Sequence, residues 1–219
     1  SWFKNKLYFF SSSNLNGTVF LLSLSSFSIF CRILEYEFFL FSENSHSIRE
    51  KEFKKLNNFT PGMFGYSVLR NSVESDLYNE LLQLCISMDM PLEGLHTETG
   101  PGVLEAAILV DESLNSADKA TLFKTFSKVM FQKKGLIANF MAKWSADYPG
   151  QSGHIHLSLQ DEKGKSIFAS SKDELPKRLL YFIGGLQTYM REFSVMIAPT
   201  VNSYKRLCPG AWAPINMTW

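Results

Sequence analysis

The sequence predicts an α+β fold, with an antiparallel sheet flanked by helices. Three observations lead there. Strand-like stretches are mixed with long helical periodicities in no regular strand-helix-strand rhythm, which disfavours a parallel sheet. Tight turn signals, Gly100-Pro101-Gly102 and Asp161-Glu162-Lys163-Gly164-Lys165, separate adjacent strand-like runs. The 219 residues are 45% apolar and 20% charged, enough to bury a core and unlike a disordered or coiled-coil chain.

Residues 1–31 stand apart from the rest, an apolar Ser/Phe-rich segment. Nine phenylalanines fall in the first 41 residues, and no charge occurs from Leu7 to Cys31. Residues 32–41 read as an aromatic-rich strand and residues 42–61 as a polar loop. Leu77, Leu81, Leu84 and Met88 recur at helical spacing, predicting a helix over 73–88 with Ser72 as N-cap and Met90-Pro91 beyond its end. Residues 93–110 read as two short strands. A second helix is predicted over 117–134, capped by Ser116 and closed by Lys133, Lys134 and Gly135. Residues 136–143 and 154–160 read as strands and 175–192 as a third helix. Gly184-Gly185 weakens the middle of that helix or permits close packing. Residues 200–219 read as loop followed by strand.

Several functions are disfavoured at once. Lys and Arg number 22 against 21 Asp and Glu, so no basic excess supports nucleic-acid binding. Cys31, Cys85 and Cys208 are widely spaced and form no disulfide framework, which favours a reducing, cytoplasmic setting. Seven serines dilute the apolar run between Leu7 and Cys31, and no small-residue cleavage site follows it, so a membrane or secretory role is not the expectation. The N-x-[ST] triplets at Asn16, Asn58 and Asn216 read as chance. The chain begins at Ser1 and reads as a fragment.

Four constellations carry possible chemistry. Glu35 and Glu37 lie two apart on a strand and share a face, where paired carboxylates call for a cation or a wet cleft. An edge strand with a solvated face explains that pair equally well. Glu98 and Glu105 flank Thr-Gly-Pro-Gly close to His96, and carboxylate oxygens suit hard cations such as Mg²⁺ and Mn²⁺. His154 and His156 again share a strand face, as metal ligands, as phosphate donors or simply as solvated residues. Lys205 and Arg206 adjoin a Pro-Gly turn, where Arg is the better bidentate group for a carboxylate or phosphate. Taken singly, the last three are also ordinary surface features.

In this order, Glu-x-Glu, Glu-(x)6-Glu around Gly-Pro-Gly, Gly-x-x-Gly-His-x-His and Asn-Ser-Tyr-Lys-Arg-Leu-x-Pro-Gly resemble the catalytic domain of the glutamine synthetase family. The ending Ala211-Trp212-Ala213-Pro214 is similar to its divergent branch, which includes the gamma-glutamyl-amine ligases. The resemblance covers residues 32–219, read as a partial catalytic domain truncated at both ends. It implies an antiparallel sheet lining a funnel for ATP and glutamate, with Mg or Mn at its waist. By the family motif, Glu37, Glu98 and Glu105 surround one metal, and Glu35 and His154 contribute to a second. His156 and Ser158 lie near the ATP phosphates. Gly150 belongs to a glutamate-binding loop, and Arg206 holds the substrate carboxylate as the catalytic cation. Glutamate, an amine and further copies of the chain are the implied partners.

Four departures accompany the resemblance. Val103 stands where the family carries Gln. Trp212 stands where an ammonia-using enzyme needs an acid to take a proton. Later arginines and a further metal-binding Glu are expected beyond Trp219. Residues 1–31 do not resemble the family's N-terminal domain, which completes the neighbouring subunit's site. The expectation is therefore a chain inactive by itself, with or without a bound cofactor, serving a structural or binding role. The alternative is a truncated ATP- and Mg-dependent glutamate–amine ligase.

Overall fold

The structure, a computed structural model, describes residues 7–12, 27–169, 174–210 and 213. Its strands are β1 (Leu7–Ser12), β2 (Phe27–Phe41), β3 (Leu92–Thr97), β4 (Val103–Ile108), β5 (Asp111–Glu112), β6 (Ile137–Asn139) and β7 (Ser152–Asp161). Its helices are α1 (Ser47–Glu50), α2 (Val68–Val73), α3 (Ser75–Ser87), α4 (Ser113–Lys133), α5 (Lys177–Ile197) and α6 (Val201–Arg206). The strands form one antiparallel sheet in the order β1-β7-β2-β4-β3, and β5 and β6 also pair with β2. The predicted antiparallel α+β architecture is the one observed.

Alternation along β2 divides the molecule. Its even residues Leu34, Tyr36, Phe38 and Leu40 are buried in the main core, against Leu81 and Cys85 of α3 and Ala120, Phe123 and Phe131 of α4. Phe140 completes that layer, stacked on Phe38 at 5.0 Å and edge-on to Tyr36 at 5.7 Å. Its odd residues Glu35 and Glu37 lie on the other face, as period two requires. Farther along that face Phe39 and Phe41 pack with Val103, Leu56, Ile137 and Trp144. Each fully buried Phe contributes about 1.5–3 kcal/mol of apolar transfer energy, so β2 anchors both layers.

Two bulges set the register. In the β2–β7 ladder Cys31 pairs with Leu157 but Ile33 with His156, so Arg32 is extra. In the β3–β4 ladder Glu93 is the extra residue between Leu92 and Gly94. A one-residue slip exchanges the faces of a strand. These bulges thereby put Glu35 opposite His154 and His96 opposite Glu105. At the β4 entrance Gly102 has φ +69°, and a Cβ there would lie 2.4 Å from the Leu40 carbonyl oxygen. Only glycine meets both demands.

Several element boundaries differ from the sequence expectation. The strand expected over residues 32–41 starts at Phe27. The first long helix is split: Ser67 caps α2 by accepting from Arg70 N at 3.4 Å, while Glu74, not Ser72, is the N-cap of α3. Helix α4 starts at Ser113, with the Glu112 carboxylate accepting from Leu114 N at 3.3 Å, and Ser116 is a buried interior residue. Gly135, at φ +73°, closes it as expected. Residues 201–206 are helical, against the expectation of loop and strand: the Thr200 hydroxyl accepts from Ser203 N and caps them. Gly184 and Gly185 are helical within α5, and nothing described lies within 4 Å of a Cβ built on either. The Asn58 triplet serves the fold, since Thr60 is buried and its hydroxyl accepts from Gly102 N at 3.2 Å. No helix among the described residues is long and apolar enough to cross a membrane.

Candidate metal and acyl-substrate site

The site is the face of the sheet opposite the main core. Cross-strand partners point the same way, so the ladders carry the face outward from β2. Glu35 is opposite His154, Glu37 is opposite Glu105, and Glu105 is opposite His96. Positions 152, 154, 156 and 158 of β7 share this face, which brings in Ser152, His156 and Ser158.

The side chains converge in two overlapping groups, Glu35-Glu105-His154 and His96-Glu98-Glu105, with ligand atoms within 4.8 Å of one another in each. Glu105 belongs to both. Its Oε1 lies 3.5 Å from His154 Nδ1 and its Oε2 3.4 Å from His96 Nε2. Glu35 Oε2 lies 3.0 Å from His154 Nδ1, and Glu35 Oε1 lies 3.2 Å from His156 Nε2. Glu37 lies outside both groups, and its Oε2 accepts from Ser152 N at 2.6 Å.

Ionisation follows from this crowding. Burial pushes the Glu35 carboxyl up, but hydrogen bonds from His154 and His156 outweigh it and hold the group at about 2. Burial pulls the His154 imidazolium down, but Glu105 and Glu35 raise it to about 10. The two shifts agree on an ion pair. Glu37 is raised, mainly by burial and also by Glu105, although the Ser152 amide, His154 and Arg206 oppose this.

Arg206 approaches from α6 and is buried. Burial lowers its pKa and the Glu37 charge raises it. Gly150 is packed against it: a Cβ there would lie 2.9 Å from Arg206 Cγ and 2.4 Å from the Ala142 carbonyl oxygen. The neighbouring Gln151 is fully buried and fastens this loop, with its N donating to Ala142 O and its Nε2 to Met141 O. Asn202 then ties α6 to the same segment, its Oδ1 accepting from Lys143 N at 2.9 Å and its Nδ2 donating to Lys143 O at 2.7 Å.

Tyr66 is the addition that sequence reading missed. It stacks on His96 at 4.7 Å and 27°, in the left-handed region at φ +55°. Burial and a hydrogen bond to Glu98 push its phenol up to about 12. A non-glycine residue held there is a strained position of the kind found at functional sites. Trp212 lies outside the described residues. Val103 lies in the apolar cluster on Phe39 and Phe41, two residues from Glu105 on the same face.

The donor set fits a hard divalent cation. Carboxylate oxygens and imidazole nitrogens dominate it. Glu98 Oε2 is buried with no hydrogen-bond partner among the described residues. The Ser152 and Ser158 hydroxyls are buried and unpartnered in the same sense, which suits a polar ligand along β7.

The family model described as "Glutamine synthetase, catalytic domain" matches residues 25–219. Type-1 glutamine synthetase 2 of Dictyostelium discoideum is 45% identical over 189 residues, covering 85% of this chain and 36% of that protein. Glutamate–isopropylamine ligase of a Pseudomonas species is 35% identical over 187 residues, covering 84% of this chain and 41% of that protein. Ligand-free GmaS superposes with a TM-score of 0.72 at 25% identity, covering 84% of this chain and 42% of that one. The chain thus spans less than half the length of these relatives.

Proposed function

We propose a function from one premise: the chain belongs to the glutamine synthetase family, as part of its catalytic domain. The whole protein is an ATP- and divalent-cation-dependent ligase that joins the γ-carboxylate of glutamate to an amine. The observation that carries this reading is Glu105, whose two oxygens serve two acid-histidine groups on one face. A carboxylate so placed would offer one oxygen to each group.

In this reading Glu98, Glu105 and Glu37 hold one Mg or Mn ion, and Glu35 and His154, with Glu105, hold the second. The ions supply Lewis-acid charge that offsets the charge of a phosphoryl group in transfer. His156 and Ser158 donate toward ATP phosphates farther along β7. Arg206 holds a carboxylate, and Gly150 leaves room beside it. The protein acts as a homo-oligomer in the cytoplasm.

A second reading has its own support. Val103 replaces a polar family residue with an aliphatic one beside the metal groups, and Trp212 offers no base for an ammonium proton. Both favour a non-catalytic protein with a structural or binding role, similar to the vertebrate eye-lens protein lengsin. Phosphate release from ATP by the whole protein, with glutamate and a panel of ammonia, alkyl and aryl amines, separates the two. Amine-dependent release that Glu105→Ala abolishes supports the ligase. No release with any amine, from folded protein, leaves the non-catalytic reading.

A further inference from the structure

We infer that His96 is a ligand of the ion assigned above to Glu98 and Glu105, and that its nitrogen makes this position select a borderline transition ion such as Zn²⁺ over Mg²⁺. The inference rests on the metal reading of the site and deepens it. His96 and Glu98 are two residues apart and share a face. His96 is also opposite Glu105 in the β3–β4 ladder. The three residues bring ligand atoms within 4.8 Å of one another.

The imidazole is held in one tautomer. Its Nδ1 lies 3.2 Å from the Thr97 carbonyl oxygen. A carbonyl only accepts, so Nδ1 carries the proton and Nε2 presents its lone pair to Glu105. The same oxygen accepts from Tyr66 N at 2.7 Å, and the Tyr66 ring lies flat on the imidazole at 4.7 Å and fixes its plane. One ring nitrogen tied to a backbone carbonyl while the other faces carboxylates is the usual support of a metal-bound histidine. Distance favours the same reading. His96 Nε2 is 3.4 Å from Glu105 Oε2, whereas a charge-assisted hydrogen bond closes to about 2.7–2.9 Å. Two donors each about 2.1 Å from one ion stand roughly 3.0–3.4 Å apart. Glu98 supplies an independent observation: its Oε2 is buried with no hydrogen-bond partner among the described residues, and such an oxygen calls for a polar or cationic ligand. Glu37, by contrast, accepts from Ser152 N and lies outside the group, which leaves room for a nitrogen donor. Imidazole beside carboxylates suits Zn²⁺, whereas Mg²⁺ prefers oxygen donors and retained water.

The test is calorimetric titration of the whole protein with Zn²⁺ and, separately, with Mg²⁺. A Glu35→Gln background weakens the second ion, so that one position is read. Zn²⁺ should bind at least about 100-fold more tightly than Mg²⁺. Adding His96→Gln should cost Zn²⁺ about 10–100-fold and Mg²⁺ about twofold or less. Adding Glu98→Ala should weaken both ions. Zn²⁺ affinity that falls with Glu98→Ala but not with His96→Gln would overturn the assignment of His96 and leave the metal reading standing. Affinity indifferent to both substitutions would overturn the two together. Nitrogen NMR of the histidine rings in the Zn²⁺-loaded protein with His96 in place gives a reading that no folding defect can mimic. The His96 ring should carry its proton on Nδ1 and none on Nε2. A proton on Nε2 in that state would make His96 a hydrogen-bond partner of Glu105 only, and would overturn the inference.

Discussion

Glu37 and Glu105 face each other directly across the β2–β4 ladder, two carboxylates on one face of a sheet. Like charges opposed in this way are destabilising. The structure offsets the repulsion unevenly: Glu105 has imidazoles on both sides, whereas Glu37 has the Ser152 amide and the more distant charges of His154 and Arg206. Glu37 is the carboxylate left at a raised pKa, so its ionised form costs stability in the metal-free fold.

Glu37→Gln should therefore stabilise the metal-free protein at pH 7 by about 0.5–1 kcal/mol. The amide oxygen keeps the hydrogen bond from Ser152 N and the charge is gone. A raised carboxyl pKa destabilises at pH above it, so the gain should vanish in acid as wild-type Glu37 protonates. The same substitution should shrink the rise in melting temperature produced by Mn²⁺. Thermal melts with and without the ion measure both. A variant less stable at pH 7, with an undiminished Mn²⁺ response, would show Glu37 to be purely structural.

His154 should make cation binding release a proton. Its folded value of about 10 exceeds its ordinary 6.5 because of Glu105 and Glu35. The stability from its ion pair is fully present below about pH 6.5 and is lost as pH rises through 10. Glu35, held near 2, contributes its half above its ordinary value of 4.5 and loses it as pH falls through 2. A metal ligand must be neutral imidazole. Mg²⁺ affinity should thus climb about tenfold per pH unit from 6.5 to 8.5, with one proton released per ion. Calorimetry in two buffers of different ionisation enthalpy reads the proton count. A count of zero would remove His154 from the ligand set.

Gly150→Ala tests the link between the loop and Arg206. The new methyl group meets Ala142 O at 2.4 Å and Arg206 Cγ at 2.9 Å. Backbone cannot yield as a flexible side chain can, so a loss of about 1–3 kcal/mol is expected, together with displacement of the guanidinium. Denaturant unfolding measures the first effect. In the whole protein, weakened binding of the carboxylate proposed for Arg206, with unchanged Mg²⁺ binding, measures the second. Wild-type stability would mean the loop relaxes freely, against the anchoring by Gln151 and Asn202.

How much of this was legible in sequence follows from the range of each interaction. The shared face of Glu35 and Glu37, and that of His154 and His156, needed only the period of a strand. The opposition of Glu35 to His154 and of Glu105 to His96 depends on bulges at Arg32 and Glu93, which leave no periodic trace. Tyr66 reaches His96 through a left-handed turn that neither spacing nor composition signals. Helix α6 is six residues long, too short to show a 3.6-residue repeat, and its local signal is the cap at Thr200.

Val103 decides whether the chain has adapted to its apolar substitution. It is buried on Phe39 and Phe41, with Leu56, Ile137 and Trp144 around them. In the antiparallel register it pairs with Phe39, one step beyond the Glu37–Glu105 pair. Val103→Gln restores the residue type of the family motif and puts an amide into this cluster. Among the residues of that cluster, the Trp144 indole N–H is buried without a described partner. It can satisfy the amide oxygen but not its NH₂ group. An unpaired buried donor costs about 1–3 kcal/mol, and the longer side chain strains a packed site. The variant should therefore lose stability by that amount and gain no affinity for Mn²⁺. Denaturant unfolding combined with Mn²⁺ titration of the same protein reads both. If Val103→Gln instead held its stability and bound the ion more tightly, the polar partners of the family motif would still be in place, and the aliphatic residue would be a recent loss rather than a settled part of the core.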